Sequence, residues 1–562
     1  MLSVEQVLEK QYPRFSAQPN IIKKPTLAFM KRLMRETDIN DFLANNQDAI
    51  GLDFIDRVFT YFNFSYHTNA QDKSRIPTAG RVVIFANHPM GALDSLLLIK
   101  LVSERRRDIK IVSNNIMENF SALKNYALAL DKQIDSTVAQ ALEQEQAVII
   151  FPAEDVSRVR PTGVKDTLWR ANFLKAAKNA KAPLLPIRIH AKNSLLFYSA
   201  SMLFKPFGNA MLAREMFKKH SCKIAISIGE IIPTHGVDTD HLHKRTVIKR
   251  LKKHLYRLGG NKSDVFQTEK PIAPPESKDK LEHELSQAKL LGETRDNNSI
   301  YLFDYKQDCA VIREIGRLRE IAFRKVGEGT GQSRDLDAFD QHYRHLILWD
   351  KAKQTIAGSY RLGEGKHLLK TQGETGFYTS TLYKFQPELK PYLEQGLELG
   401  RSFVNPDYWG KASLDYLWQG LGTYLAQNED IRYLIGPVSM SAHYPRSLMD
   451  ELVYFYTRYY SHEQTLVKAH FPYNLTDEKI RHFDTIFQNK DKDDAFKFMQ
   501  QNFIALGHKL PVLYKQYSAL FEEDGFKTLV FSVDPDFGDC LDGLCMCDLA
   551  KIKDNKRKRY IG

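Results

Sequence analysis

His88 and Asp94 have the types and spacing to do chemistry, six positions apart in Asn87-His88-Pro89-Met90-Gly91-Ala92-Leu93-Asp94. An imidazole exchanges its proton near neutral pH, so a histidine can take the proton of a poor nucleophile such as a hydroxyl as it attacks. A carboxylate beside it can orient the ring and stabilise the imidazolium. The neighbouring elements suit this use. Residues 82–86, VVIFA, form an apolar, β-branched run that predicts a buried strand. Residues 87–91 break that run, and Asp94 opens a helical pattern, so a strand hands the histidine into a turn before a helix.

Further strands follow at AVIIFP (147–152) and APLLPIRI (182–189), the latter after a basic helix. Strands alternating with helices predict an α/β domain with a largely parallel sheet. Between them, Arg158 could hold an anionic group. Residues 259–280, GGNKSDVFQTEKPIAPPESKDK, are rich in Gly, Pro, Ser and charge and read as a linker. Beyond them, a helical stretch at 312–330, strands at 397–404 and 434–440 and a helix at 413–428 predict a second α/β domain. The expected organisation is lead-in helices at 1–69, a first domain at 70–258, a linker at 259–295 and a second domain at 296–562.

The chain has 562 residues, 43% apolar and 26% charged, with a net charge of +12. These values exclude a disordered, collagenous or coiled-coil chain. The basic character is local: residues 1–275 hold 41 Lys+Arg against 26 Asp+Glu, and the rest is close to neutral. Two lead-in stretches, 21–46 and 51–64, show apolar residues at helical spacing with Lys and Arg between them. They read as helices packed on the domain or as a basic amphipathic surface for anionic lipid. Residues 1–20 read as no secretory signal, and no apolar run reaches 18 residues. Five cysteines form no disulfide framework. Nucleic acid is excluded as a partner, because no RNP, zinc-finger or helix-turn-helix pattern appears.

The blocks NHPMGALD, FPAEDVSR and LLPIRI follow the order found in the glycerolphosphate and lysophosphatidate acyltransferase family, which residues 70–235 resemble. The resemblance implies that His88 and Asp94 are catalytic in O-acyl transfer from a thioester, and that Asn87, Gly91, Glu154, Ser157 and Arg158 bind substrate. The family's Gly-rich second block, whose arginine helps bind an acceptor phosphate, has no clear match in residues 111–126. A phosphate-free acceptor fits that gap.

Residues 300–475 resemble the GNAT superfamily, in the branch of the acyl-homoserine-lactone synthases. The pattern falls on Arg319 and Phe323, on Asp335, Asp337 and Asp340, on Arg361, and on Glu398 and Arg401. The resemblance implies an interlocked charged cluster, with Glu398 and Arg401 catalytic and the others at the substrate. Carboxylates there can bind an amine or take its proton, and arginines can bind a carboxylate.

The two halves together resemble the bifunctional ornithine-lipid synthases. That implies N-acylation of an amino acid by a 3-hydroxyacyl group from acyl carrier protein, then O-acylation of the lyso-lipid by the first domain. Ornithine is the implied amino acid; glycine, serine and glutamine stay open. No metal or cofactor is implied, and the expected place is the cytoplasm, peripheral on the inner face of the cell membrane. The alternative is a lysophospholipid O-acyltransferase with a non-catalytic GNAT-like domain. Cys540, Cys545 and Cys547 read as packed strand residues, GEGTG (327–331) as no phosphate cradle, 453–460 as a packed helix face and 551–560 as a solvated tail.

Overall fold

The computed structural model describes residues 3–11, 19–113, 121–129, 134–153, 156–160, 163–194, 197, 212, 214–218, 222–237, 243–260 and 263–562. The chain divides into two compact units, Met1–Pro271 and Ile272–Gly562, and each is an α/β unit around its own sheet.

The first unit holds a seven-stranded sheet in the order Ser65–His67, Lys223–Ile228, Leu184–His190, Val82–Ala86, Ala147–Ile150, Ile109–Ser113, Ala127–Ala129. Every pairing is parallel except Leu184–His190 with Lys223–Ile228. The central strand Val82–Ala86 is buried throughout, because it feeds two cores. Val82, Ile84 and Ala86 enter one cluster with Ile55, Leu97 and Leu101. Val83 and Phe85 enter the other with Phe173, Leu174 and Leu251. Successive side chains of a strand point to opposite faces, so a sheet covered by helices on both faces needs this unbroken apolar run. His88 follows two residues after the strand's carboxyl end, where open α/β sheets bind their ligands.

The second unit holds an eight-stranded sheet in the order Lys289–Glu293, Ser299–Asp304, Arg344–Asp350, Thr355–Glu364, Gly396–Val404, Tyr433–Met440, Cys540–Asp548, Phe526–Asp534. All pairings are antiparallel except one. Gly396–Val404 runs parallel to Tyr433–Met440, and the two pair only from Gly396–Glu398 to Tyr433–Ile435. Gly436 permits the close approach just before they part: a Cβ there would lie 2.2 Å from the Leu399 carbonyl oxygen.

Two expectations need correction. Residues 259–295 are not a bare linker: the helix Lys278–Ser286 buries Leu281 and Leu285, one turn apart, and Lys289–Glu293 is an edge strand of the second sheet. The basic tail is not simply solvated. Its helix Asp554–Tyr560 has no buried residue, but Arg559 and Tyr560 bond Asp415, at 2.8 and 2.6 Å to Oδ1. The tyrosine-rich helix Arg446–Tyr460 does bury Val453, Tyr454, Phe455 and Tyr456.

Candidate active sites

In the first unit, Asp94 is fully buried and opens the helix Ala92–Ser103. Its Oδ2 accepts the backbone N–H groups of Met90 (2.8 Å) and Gly91 (3.1 Å) and lies 3.0 Å from His88 Nδ1. Burial pushes the Asp94 carboxyl up; His88 and the two backbone donors oppose that shift. Gly91 has φ +77°, a conformation that an L side chain rarely adopts. The His88 ring stacks on Phe151 at 4.2 Å.

Asp166, which sequence reasoning missed, ties this turn to the next segment. Its Oδ1 accepts the His88 backbone N–H (3.2 Å) and the Ser157 hydroxyl (2.6 Å), and its Oδ2 accepts the Trp169 indole N–H (2.9 Å). Ser157 N–H in turn donates to the His88 carbonyl at 2.8 Å. Asp166 and Trp169 stand three positions apart, a D-x-x-W spacing that was open to notice in the sequence.

Two of the expected binding residues make bonds within the fold. The Asn87 amide both donates to and accepts from the Ile189 backbone, at 2.9 and 2.7 Å, so it extends the sheet. The Ser157 hydroxyl is committed to Asp166. Arg158 differs: its Nη1 and Nη2 are buried without a hydrogen-bond partner among the described residues, and its guanidinium lies 5.9 Å from the Phe197 ring centre. Glu154 lies outside the described residues.

In the second unit the charged residues interlock. Arg319 Nη1 donates to Asp340 Oδ1 (2.9 Å), and Arg361 Nη1 to Asp337 Oδ1 (2.6 Å). Arg401 Nε stands 3.3 Å from Asp335 Oδ2. Burial raises Asp335, whereas Arg319 and Arg361 overcome burial and hold Asp340 well below the usual carboxylate range. Arg319 and Arg361 have no exposed surface. They form a scaffold of paired charges with Asp337 and Asp340. Phe323 packs on Phe537 at 5.0 Å. The GEGTG loop is held by Glu320, whose carboxylate receives the Thr330 hydroxyl (2.7 Å) and the Gly331 N–H (2.9 Å).

Glu398, expected to be catalytic, is buried, and both its oxygens are engaged. Oε1 accepts the Thr379 N–H (2.8 Å); Oε2 accepts the Tyr378 N–H (3.1 Å) and the Tyr343 hydroxyl. A carboxylate so bonded positions the 378–379 backbone, and Oε1 keeps a further lone pair. Arg401 borders a cavity in the wedge where Gly396–Val404 and Tyr433–Met440 part, together with Tyr360, Trp418, Tyr517, Cys545 and Cys547. Its Nη1 lies 3.3 Å from the Tyr378 hydroxyl, which donates to Asp534 Oδ2 at 2.9 Å.

Residues 318–419 match the model of the acetyltransferase (GNAT) domain, and residues 14–260 match an acyltransferase model. A glycine N(alpha)-acyltransferase of Bacteroides thetaiotaomicron is 33% identical over 305 residues, covering 52% of this chain and 89% of the relative. The chain belongs to that acyltransferase family. It is an acyltransferase with two different acyltransferase domains on one polypeptide. A lyso-glycine lipid O-acyltransferase of the same organism is 24% identical over 252 residues, covering 42% of this chain and 90% of the relative. An L-ornithine N(alpha)-acyltransferase of Brucella abortus is 35% identical over 154 residues, covering 22% of this chain and 53% of the relative.

Proposed function

We propose that this acyltransferase builds a diacylated amino-acid lipid in two steps. The GNAT unit transfers a 3-hydroxyacyl group from an acyl carrier protein thioester to the amine of glycine or ornithine, the amino acids that the relatives' names carry. The first unit then acylates the new hydroxyl. The observation that carries the reading is the coexistence on one chain of the buried His88–Asp94 pair and of a GNAT sheet whose two parallel strands part after Glu398 and Ile435.

In the second step, Asp94 holds Nδ1 of His88, leaving Nε2 to take the proton of the hydroxyl as its oxygen attacks the thioester carbon. The imidazolium then returns a proton to the departing thiolate. Arg158, whose Nη1 and Nη2 meet no partner among the described residues, suits the free carboxylate of an N-acyl amino acid. In the first step, Arg401 at the mouth of the wedge suits the carboxylate of the incoming amino acid.

The basic first half suits an acidic carrier protein and an anionic bilayer. The helix Asn20–Met34 presents Ile21 (86% exposed), Ile22 and Phe29 beside the exposed Lys24 and Arg32. We assign this surface to the membrane. Among the described residues, no helix is long and apolar enough to cross one.

Cells expressing the chain and fed labelled glycine or ornithine test the reading. A phosphate-free lipid carrying the label and two acyl chains supports it. Altered phospholipid acyl chains with no labelled lipid would overturn it in favour of a phospholipid acyltransferase.

A further inference from the structure

The helix Lys244–Leu255 of the first unit, KRTVIKRLKKHL, holds six Lys and Arg and no Asp or Glu. Its apolar face is spent on the core: Val247, Ile248, Leu251 and Leu255 pack in the cluster that takes Val83 and Phe85. Two of the basic residues are spent within the fold as well. Arg250 donates to the Val265 carbonyl at 3.3 Å and lies 5.2 Å from the Phe266 ring centre. Lys252 Nζ donates to the carbonyls of Asp166 and Thr167, at 2.7 Å each.

The other four are exposed, and the side chains of Lys244, Arg245, Lys249 and Lys253 make no hydrogen bond or ion pair among the described residues. Arg245, Lys249 and Lys253 stand four positions apart, which puts them in one stripe along the helix, about 12 Å long. Folding gains nothing from it. Like charges four apart on a helix repel. Lys244 and Arg245 also sit in the first turn, where the helix dipole is itself positive and no acidic residue offsets it. An arrangement that works against the helix is explained by a partner that is acidic.

The stripe adjoins the catalytic turn. Lys252, next to Lys253, holds the 166–167 backbone, and the Tyr256 hydroxyl just past the helix accepts the Asp166 N–H at 2.8 Å. Asp166 in turn accepts the His88 N–H. Leu168, 85% exposed, follows the Thr167 carbonyl and adds an apolar contact there. The stripe also lies away from the surface assigned to the membrane. Its helix covers the Val83 and Phe85 face of the sheet. Arg35, at the end of the lead-in helix, lies 4.4 Å from the ring centre of Phe217, which packs on the cluster of the opposite face. The exposed side chains of Lys244–Leu255 are all polar, so the helix has nothing to insert into lipid.

We propose that Arg245, Lys249 and Lys253 dock the acidic acyl carrier protein that feeds the O-acyl transfer at His88. The inference rests on the reading of the first unit as a carrier-fed O-acyltransferase. Charge complementarity of this kind acts on encounter and affinity and leaves the chemical step alone.

The test uses the purified full-length chain, acyl-loaded carrier protein at varied concentration, and the N-(3-hydroxyacyl) derivatives of glycine and ornithine as acceptors. The triple variant Arg245→Gln, Lys249→Gln, Lys253→Gln is expected to raise KM for the carrier about tenfold or more and to keep kcat within about twofold. Added salt is expected to raise KM of the wild type and to leave that of the variant nearly unmoved. The variant should melt no lower than wild type, because it loses two repelling pairs. The charge-keeping variant Arg245→Lys, Lys249→Arg, Lys253→Arg should retain the wild-type KM. An unchanged KM in the glutamine variant overturns the proposal. So does an unchanged KM with weaker sedimentation on phosphatidylglycerol vesicles, which would give the stripe to the bilayer. A glutamine variant that melts lower and loses kcat overturns it too, since the stripe would then serve the fold. A wild-type chain that takes no acyl group from the carrier refutes the underlying reading instead.

Discussion

Oδ2 of Asp94 stands 3.0 Å from Nδ1 of His88 while also receiving the N–H groups of Met90 and Gly91. One oxygen thus folds the turn that carries the base and orients the base itself. Asp94→Asn keeps an oxygen for the turn and loses the charge that stabilises an imidazolium. It should lower O-acyl transfer by about 10²- to 10⁴-fold while N-acyl transfer stays near wild type, as read by separate assays on a supplied N-acyl lyso-lipid and on a free amino acid.

Gly91 tests the turn without touching its chemistry. Its φ of +77° with ψ of −132° is sparsely populated by other residues. A Cβ there meets only ordinary contacts, the nearest being Leu212 at 3.6 Å. Gly91→Ala should therefore cost about 1–3 kcal/mol through backbone strain, seen in denaturant unfolding.

The first site was legible in the sequence because its signals are local. An all-apolar run made the strand Val82–Ala86, and a break and a helix start followed within eight residues. Asp166 was less visible, since it acts 78 positions from His88. The partners of Glu398, namely Tyr343, Tyr378 and Thr379, were not legible, because they lie 55, 20 and 19 positions away in sequence. The structured part of 259–295 escaped notice because only Leu281 and Leu285 mark a helix among the charges of KDKLEHELS.

Glu398 is expected to behave as a positioning residue. Glu398→Ala leaves the Thr379 N–H without its acceptor, and the Tyr378 N–H with the Tyr343 hydroxyl alone, and should cost about 1–3 kcal/mol. Glu398→Gln retains one acceptor oxygen and should keep more N-acyl activity than the alanine variant. Equal and complete loss in two well-folded variants would contradict this role.

Asp542, buried in the strand Cys540–Asp548, carries a signature in stability. Its folded value near 7 lies above the ordinary carboxylate value of about 4 in the unfolded chain. Below pH 4 both states are protonated and the group is neutral to stability. As pH rises from 4 to 7 the unfolded chain ionises first, so the folded state loses stability across that window. Asp542→Asn removes this loss. It should raise the melting temperature relative to wild type at pH 8 and do so less at pH 5, whereas a purely structural aspartate would give a less stable variant at both.

The lead-in helix predicts a membrane contact of modest strength. Ile21→Glu combined with Phe29→Glu should reduce sedimentation with vesicles containing anionic lipid, and the remaining binding should weaken further as salt is raised. Undiminished binding would remove this helix from the account.

The central claim is that one chain holds two separable acyl transfers acting in series. Its most direct test is the product made by purified His88→Ala from labelled amino acid and 3-hydroxyacyl-loaded carrier protein, read by mass spectrometry. The account predicts that wild type makes the diacyl lipid, whereas His88→Ala stops at the monoacyl amide and accumulates it. A diacyl product from His88→Ala would contradict the claim.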